Sequence, residues 1–577
     1  MLLELELWDL GRAGREPLTP GEAVGGGRVV VEPTASGVLV GLGGQDFCSE
    51  LSVWARRSSR SIPGTAELRR WNPNPPGSWI HICSSQRSVT ATCDPVGAFP
   101  LFHWRSGNRL LLSDNLPEIA PSSPRWDPAG LIEYLRFGYS IGTRTILSDV
   151  KRVQPAERIT WQSGHAAHRS EVIPADGVSA WVGHPTEVLL QEFADALVEV
   201  VRETAVDVLM MSGGWDSRVI LAALLALQES PGTTLHFHGD LQSREAAIVK
   251  RIASDHDLAL STLAIQPEHL ELESLRNYFQ HFPSLSFPWW NGFRNMDIPA
   301  GTVAAGIFGE LSGGHYGPPM ARSGWRRLFE NARWAFLPPR RLRPGREDHL
   351  AEAWTALRQE PYSPPWYFDP EQWHRHFEGV HEEVNSDIKG ALVHLSDRGL
   401  NQPLDLIEGF ITTHRGGQYV AAQLHSASNP GMFFAPLAHR HLLDLAVAIP
   451  FRRRAFNRLT QEVIKLLQPS LLNYPMAATL VKAQRPIPLL EASRVARKAI
   501  GHLGIVPRSR KRFSWVNFQG FPLEEMLGNL PDHLGLGLWD RPRIRQSVSQ
   551  TPGGREHPTI DMLMKILSAD WTIVPRK

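Results

Sequence analysis

The chain has 577 residues, and 42% of them are hydrophobic, which is enough for about two or three domains and excludes wholesale disorder. The 60 Lys and Arg residues balance 59 Asp and Glu residues, so the chain lacks the strongly basic character of nucleic-acid-binding proteins. Its 3 cysteines form neither a disulfide framework nor a metal-ligand pattern, and they indicate a reducing, cytoplasmic location. We expect no membrane segment, because the acidic start MLLELELWDL is no secretory signal and the longest apolar run, residues 219–227, is too short.

The first part of the chain consists mainly of short apolar runs that are separated by Gly, Pro, Ser and Asn. This texture predicts an α+β domain over residues 1–170, with its clearest helix at residues 128–137. Residues 171–185 are rich in Gly, Pro and Ala and are predicted to be a linker. The predicted strands are residues 27–31, 37–42, 79–84, 89–93 and 109–113.

From Thr186 the pattern changes to helices that alternate with short strands, which predicts a parallel α/β sheet. Beyond residue 400 the pattern is mostly helical. We therefore predict a second domain over residues 186–577. Its predicted strands are residues 206–211 and 234–238, and its predicted helices are residues 186–204, 217–227, 244–256, 404–424, 439–448 and 456–467.

The most informative segment is SGGWDS at residues 212–217, between a predicted strand and a predicted helix. Glycines let the backbone approach a ligand, and the start of a helix favours negative charge, so the segment is typical of an anion-binding loop. A carboxylate at Asp216, beside phosphates, indicates a Mg²⁺ ligand. A Walker A loop is excluded because no Lys-Ser/Thr follows the glycines, and the alternative is an ordinary Gly-rich turn. The predicted ATP- and pyrophosphate-binding residues are Met211, Ser212, Gly213, Gly214, Asp216, Ser217 and Arg218, and the alternative for Arg218 is a packing role at the start of the helix.

The SGGxDS pattern resembles the pyrophosphate loop of the ATP-pyrophosphatases, and further segments resemble glutamine-hydrolysing asparagine synthetase in the order of that family. The resemblance implies an N-terminal Ntn-hydrolase-like α+β sandwich. It implies next an α/β PP-loop synthetase domain, similar to the adenine nucleotide α-hydrolases, with a helical C-terminal part. The matching segments are residues 94–102, 111–114, 145–155, 212–217, 309–314, 434–450 and 480–486.

The chain departs from the family pattern in two places. The family's glutaminase uses an N-terminal cysteine, whereas Leu2 follows Met1 here, which implies a degenerate glutaminase-like domain. The β-lactam synthetases and lasso-peptide cyclases share this loss, and they join an internal amine to an activated carboxylate. In the loop that resembles GxDELFGGY, two family carboxylates fall on Gly306 and Gly309, which leaves Glu310 as the neighbouring acid.

The resemblance implies an ATP-dependent, Mg²⁺-dependent amide ligase that forms AMP and pyrophosphate through an acyl-adenylate. It implies Asp216 and Glu310 as metal ligands, and Lys482 and Glu310 as catalytic residues. Lys482 would oppose the charge of the oxyanion that forms during amine attack, and the alternative is an ordinary surface lysine. Tyr316 and Glu408 are candidates for the general base.

We favour closure of a macrolactam in a ribosomal peptide, as in lasso-peptide cyclases. The expected partners are ATP, a peptide substrate, a leader-peptide-binding protein and a leader protease, with no nucleic acid. The Arg- and Trp-rich residues 318–346 are either a docking surface for an acidic peptide or phosphate, or a solvated loop. The alternatives are an amidotransferase-like or β-lactam-type ligase that uses free ammonia or an internal amine, a PP-loop nucleic-acid modifier, and a catalytically inactive binding protein.

Overall fold

The structure is a computed structural model, which describes the residues given at the end of this paragraph. Among the described residues, no helix combines the length and the apolar character needed to cross a membrane. The strands within them form three sheets. The described residues are 2–6, 23–24, 27–32, 38–42, 51–57, 79–84, 88–98, 100–106, 109–113, 116–119, 125–162, 169–172, 181, 183–227, 232–264, 302–315, 346–397, 399–400, 402–421, 432–502, 527–528, 537–549 and 566.

Two antiparallel six-stranded sheets form the N-terminal region, residues 2–172. His103 of one sheet meets Trp161 of the other edge to face, with 5.1 Å between ring centroids, so the sheets share core contacts. The strands are β1 (Leu2–Glu6), β2 (Ala23–Val24), β3 (Gly27–Glu32), β4 (Val38–Leu42), β5 (Leu51–Arg57), β6 (Trp79–Ser84), β7 (Ser88–Cys93), β8 (Phe102–Ser106), β9 (Arg109–Ser113), β10 (Val150–Arg152), β11 (Glu157–Gln162) and β12 (Arg169–Val172). Their orders are β10-β8-β9-β1-β3-β2 and β12-β11-β7-β6-β5-β4.

Two helices accompany these sheets, α1 (Leu116–Ile119) and α2 (Pro128–Phe137). Asp127 caps α2, because its side chain accepts a hydrogen bond from the Gly130 amide at 3.0 Å. The helix ends at Gly138, whose φ of +84° suits a residue without a side chain. These end signals explain why α2 has the bounds that the sequence predicts.

A parallel five-stranded sheet lies at the centre of the rest of the chain, as the alternating pattern predicts. Its strands are β13 (Val208–Met210), β14 (Thr234–His238), β15 (Leu260–Leu263), β16 (Thr302–Ala305) and β17 (Met432–Phe434), in the order β15-β14-β13-β16-β17. The central strand β13 is buried along its whole length, which is typical of a parallel sheet covered on both faces. Ligand sites in such sheets lie at the carboxyl ends of the strands.

Thirteen α-helices are described in this part of the chain, of which α4 contacts β13 and α5 contacts β14, while α3, α4 and α13 pack on one another. The thirteen are α3 (Thr186–Thr204), α4 (Asp216–Ala226), α5 (Arg244–Asp255), α6 (Gly309–Ser312), α7 (Arg346–Leu357), α8 (Pro370–Phe377), α9 (Val380–Asp397), α10 (Pro403–Ile411), α11 (Arg440–Ala448), α12 (Phe451–Arg454), α13 (Arg458–Leu467), α14 (Ile487–His502) and α15 (Arg541–Ser549). Three short 3₁₀ helices cover Pro436–Ala438, Ala455–Asn457 and Pro469–Asn473.

Two predicted helices differ from the structure. The helix predicted over residues 404–424 is α10 followed by a π-helix at Thr412–Val420, and residues 422–424 lie outside the described residues. The helix predicted from Phe456 begins at Arg458, because Phe456 and Asn457 have φ angles of +62° and +64°, which no right-handed helix accommodates.

Candidate functional site

The loop at residues 212–217, after the central strand β13, is held together by hydrogen bonds to its own serine side chains. Ser217 Oγ accepts a hydrogen bond from the Ser212 amide at 3.0 Å, and the two hydroxyl oxygens are also 3.0 Å apart. Ser212 Oγ in turn accepts from the Gly214 amide at 3.2 Å. Met211 anchors the start of the loop by donating to the His236 carbonyl oxygen at 2.8 Å. The loop therefore wraps around the first turn of α4, where backbone N–H groups favour an anion.

Asp216, the first residue of α4, lies close to Glu310 of α6. Both side chains are partly exposed as a whole, but Asp216 Oδ1 and Glu310 Oε2 are buried, and neither has a hydrogen-bond partner within the described residues. Burial and the charge of Glu310 raise the pKa of Asp216 to about 8. Burial also raises the pKa of Glu310, against the opposing effects of backbone amides and of Arg415. Two neighbouring carboxyl groups with buried, unsatisfied oxygens fit a divalent cation.

Two glycines make room for the Asp216 side chain. A Cβ on Gly309 would overlap the Asp216 carboxyl group, and a Cβ on Gly306 would lie 2.6 Å from the Ser217 amide nitrogen and 2.8 Å from Asp216 Cβ. Within the described part of the chain, no group of three or more His, Cys, Asp and Glu side chains could hold a metal. The candidate cation site therefore consists of two carboxylates, which is a common number for Mg²⁺ that also binds phosphate oxygens.

The loop that carries Glu310 is held by a turn from the 3₁₀ helix at Ala455–Asn457. The Asn457 amide donates to the Gly313 carbonyl oxygen at 3.0 Å. A Cβ on Gly314 would lie 2.6 Å from Ala455 Cα, so only a glycine permits this approach. The loop itself begins at Phe308, whose φ of +70° is unusual for a bulky residue. Strained backbone of this kind is often found at functional sites.

Glu408 does not have the surroundings of a general base. Its carboxylate is buried and accepts two hydrogen bonds from Arg454, one of them at 2.6 Å. Arg454 also donates to the carbonyl oxygens of Ile449 at 2.8 Å and Leu311 at 2.9 Å. The structure therefore contradicts the prediction of Glu408 as a general base, because its carboxylate forms a buried bidentate pair with Arg454. Tyr316, the other candidate base, lies outside the described residues.

Arg218 is also placed differently from the prediction of a phosphate contact. Its side chain is fully buried, and its guanidinium donates to the carbonyl oxygens of Leu471 at 3.4 Å, Tyr474 at 3.2 Å and Pro475 at 3.0 Å. Burial lowers its pKa to about 10. This position favours a structural role, in which Arg218 fastens the segment before Lys482 to the start of α4.

Lys482 lies on a hairpin that docks against the loop. Lys482 pairs with Pro475 across the hairpin, and the Ala477 amide donates to the Gly213 carbonyl oxygen at 3.3 Å. A Cβ on Gly213 would lie 2.8 Å from Ala477 Cβ, so this contact also depends on a glycine. The Lys482 side chain itself is exposed. The structure therefore brings its hairpin to the loop and leaves the ammonium group accessible.

Cys93, on β7, is the one cysteine whose side chain the structure describes. Burial and the neighbouring charge of Asp94 raise the pKa of its thiol well above the ordinary value. A buried thiol of this kind is a poor nucleophile. Cys48 and the predicted docking segment at residues 318–345 lie outside the described residues, and Arg346 begins α7.

Sequence reasoning missed Arg415, which lies on the π-helix close to Glu310. Its guanidinium stacks 4.8 Å from the centroid of the Tyr419 ring, and its charge lowers the pKa of Glu310. The helical pattern of residues 404–424 gives no sign of a π-helix, although the adjacent Gly416 and Gly417 are unusual inside a helix.

No family model matches this chain, and no curated protein matches it. The resemblance to asparagine synthetase therefore stays a prediction from the motifs, and the function is inferred from the site itself.

Proposed function

We propose that this protein is an ATP-dependent carbon–nitrogen ligase that forms AMP and pyrophosphate through an acyl-adenylate. One observation carries the proposal. The loop at residues 212–217 leaves the carboxyl end of the central strand of a parallel sheet, and it places Asp216 opposite Glu310 at the start of a helix. This arrangement supports the binding of a triphosphate together with a cation.

The residues of the loop have distinct roles in this proposal. The positive end of α4 and those loop N–H groups that the serine hydroxyls do not engage bind the departing pyrophosphate, and the hydroxyls hold the loop in shape through the Ser212 and Gly214 amides. Asp216 and Glu310 would hold Mg²⁺, which neutralises phosphate charge when it is bound. Because Asp216 has a raised pKa, its ionised form needs a nearby positive charge, and a cation supplies one.

Lys482 is the proposed cation for the acyl-transfer step. Its exposed side chain extends from a hairpin whose Ala477 is bonded to Gly213 of the loop, which supports access to a substrate bound there. An ammonium group opposite the developing oxyanion favours attack by the amine. Arg218 is assigned to the structure of this hairpin instead of to phosphate binding.

For the substrate, we propose a peptide whose own amine attacks its activated carboxylate, as in the lasso-peptide cyclases that the chain resembles. The state of Cys93 supports this choice, because this buried thiol, the one cysteine side chain that the structure describes, is unsuited to release ammonia from glutamine. A leader-peptide-binding protein and a leader protease are the proposed partners.

The test incubates the purified protein with ATP, Mg²⁺ and synthetic peptides that carry a free N-terminal amine and an internal Asp or Glu. AMP and pyrophosphate should form together with a dehydrated peptide, whereas ADP and phosphate as the main products would refute the proposal. Asp216→Ala should lower the rate by about 100-fold or more, because it removes an electrostatic contact at the reacting phosphates. Asp195→Ala, at an exposed position of α3, is the matched control and should leave the rate unchanged.

A further inference from the structure

The helix formed by α10 and the π-helix supports the Glu310 loop at two places. At Glu408 it holds Arg454, whose Nη1 donates to the Leu311 carbonyl oxygen at 2.9 Å. Further along, Gly416 packs on Phe308, since a Cβ on Gly416 would lie 3.3 Å from Phe308 Cε1. Phe308 and Leu311 lie on either side of Glu310 in the chain. The helix thus supports the loop both before and after that carboxylate.

The next residues of the same helix contact the N-terminal region. The Gly417 carbonyl oxygen accepts a hydrogen bond from Arg152 Nη2 at 2.9 Å, and Arg152 also donates to the Gly97 carbonyl oxygen at 3.2 Å. Gln418 Nε2 donates to the Ser140 carbonyl oxygen at 2.6 Å. Arg152 and Gln418 are both buried, so these hydrogen bonds lie in an interior where loss of a partner is costly.

Close packing at Gly417 depends on the absence of a side chain. An added Cβ would overlap Pro155 Cγ and would lie 3.3 Å from the Val96 carbonyl oxygen. The π-helix therefore packs one glycine toward Phe308 and the next toward Pro155. Segments of π-helix are rare and frequently occur at functional sites.

We propose that the π-helix Thr412–Val420 is a positioning element through which the N-terminal region holds the Glu310 loop, and with it the carboxylate pair, in place. The described contacts run without a gap from Arg152 and Gln418, through Gly416 and Gly417, to Phe308. The structural connection stands on these contacts alone, and its effect on ligation rests on the proposed function.

The first experiment measures amide hydrogen exchange in residues 309–315 of the whole protein. Gly417→Ala pushes the π-helix away from Pro155, and exchange in this segment should become about two- to thirtyfold faster, the range of coupling expected for such connections. Gly390→Ala is the matched control, because Gly390 lies in a helix and a Cβ added there would meet no atom within 4 Å. It should leave exchange in residues 309–315 unchanged.

A second substitution tests the direction of the connection. Pro155→Ala removes the atom that the new methyl group would meet, so Gly417→Ala combined with Pro155→Ala should recover most of the protection. If Gly417→Ala alone does not fold, Gln418→Leu replaces it, since that change removes only the contact with Ser140. Unchanged exchange in residues 309–315 with faster exchange in residues 412–420 would overturn the proposal.

A third measurement links the connection to the site. Calorimetric titration with Mn²⁺ alone should show weaker binding in Gly417→Ala by the same factor, with recovery in the double variant, because the carboxylate pair would be less well held. Equal Mn²⁺ affinity in all variants would overturn the proposed link to the carboxylates. If the wild type makes no AMP with any peptide but the exchange results hold, the ligase proposal fails and the positioning role stands.

Discussion

Substitution of Glu408 distinguishes a structural role of this residue from a catalytic one. Its carboxylate and the Arg454 guanidinium form a bidentate pair in which both side chains are buried. Arg454 also satisfies the carbonyl oxygens of Ile449 and Leu311. Glu408→Gln keeps the shape of the side chain and removes its charge, so the buried guanidinium loses its bidentate partner and only the more distant charge of Asp405 still opposes it.

The expected cost is large compared with the stability of a protein. Breaking a buried pair by neutralising one partner destabilises by about 3–5 kcal/mol, which is a substantial part of a typical total of about 5–15 kcal/mol. Glu408→Gln should therefore lower the urea midpoint, followed by the fluorescence of the 19 tryptophans. Arg454→Met should destabilise as well, because it leaves the Glu408 carboxylate and the Ile449 carbonyl oxygen without their donor.

The double variant decides the interpretation. If the two groups act as a pair, Glu408→Gln with Arg454→Met should cost about 2–3 kcal/mol less than the sum of the single changes. Additive effects would refute the pairing argument. A Glu408→Gln protein with wild-type stability and no turnover would instead restore Glu408 as a general base.

Three further predictions concern acid stability, the carboxylate pair and the lysine. Burial lowers the pKa of His414 to about 3 from its ordinary 6.5, so the native state binds fewer protons than the unfolded state between these values. The contribution of this group to the free energy of unfolding is complete above pH 6.5, and about 2 kcal/mol of it is lost at pH 5. The urea midpoint should therefore fall less between these pH values in His414→Phe than in the wild type, and equal pH slopes would contradict this. Gly309→Ala should displace the Asp216 carboxyl group and weaken Mn²⁺ binding at least about tenfold, and an unchanged calorimetric titration would contradict it. Lys482→Ala should retain substrate-dependent exchange of labelled pyrophosphate into ATP but form no amide, and Lys482→Arg should rescue only in part; product formation within a few-fold of the wild-type rate would show a surface lysine.

Elements with local end signals could be predicted well from the sequence. The helix α3 has the predicted bounds 186–204. The capping Asp127 and the terminal Gly138 of α2 are adjacent to its ends in the sequence, so they can be recognised there. The loop at residues 212–217 could be found because all its contributing residues are contiguous. The strands β15, β16 and β17 were not predicted, because three or four residues give too short a pattern to recognise.

The features that could not be predicted depend on contacts between distant segments. Glu408 and Arg454 are 46 residues apart, and nothing in the sequence near either one indicates the other. Hydrophobic periodicity does not distinguish a π-helix from the α-helix that precedes it. The close approach of Gly417 to Pro155 could therefore not be predicted from the sequence. The left-handed conformations of Phe456 and Asn457 could not be predicted either, because both residues fit a helical pattern.

Gly306 and Gly309 show how the structure changes the meaning of a sequence difference. In the sequence they look like lost carboxylates, but in the fold each lies against Asp216 or the residue after it, where a side chain has no room. An aspartate at position 309 would therefore displace Asp216 before it added a third ligand. A cation held by two carboxylates needs its remaining ligands from water and from phosphate oxygens. It follows that ATP should strengthen Mn²⁺ binding, since the nucleotide supplies oxygens that this pair of carboxylates lacks.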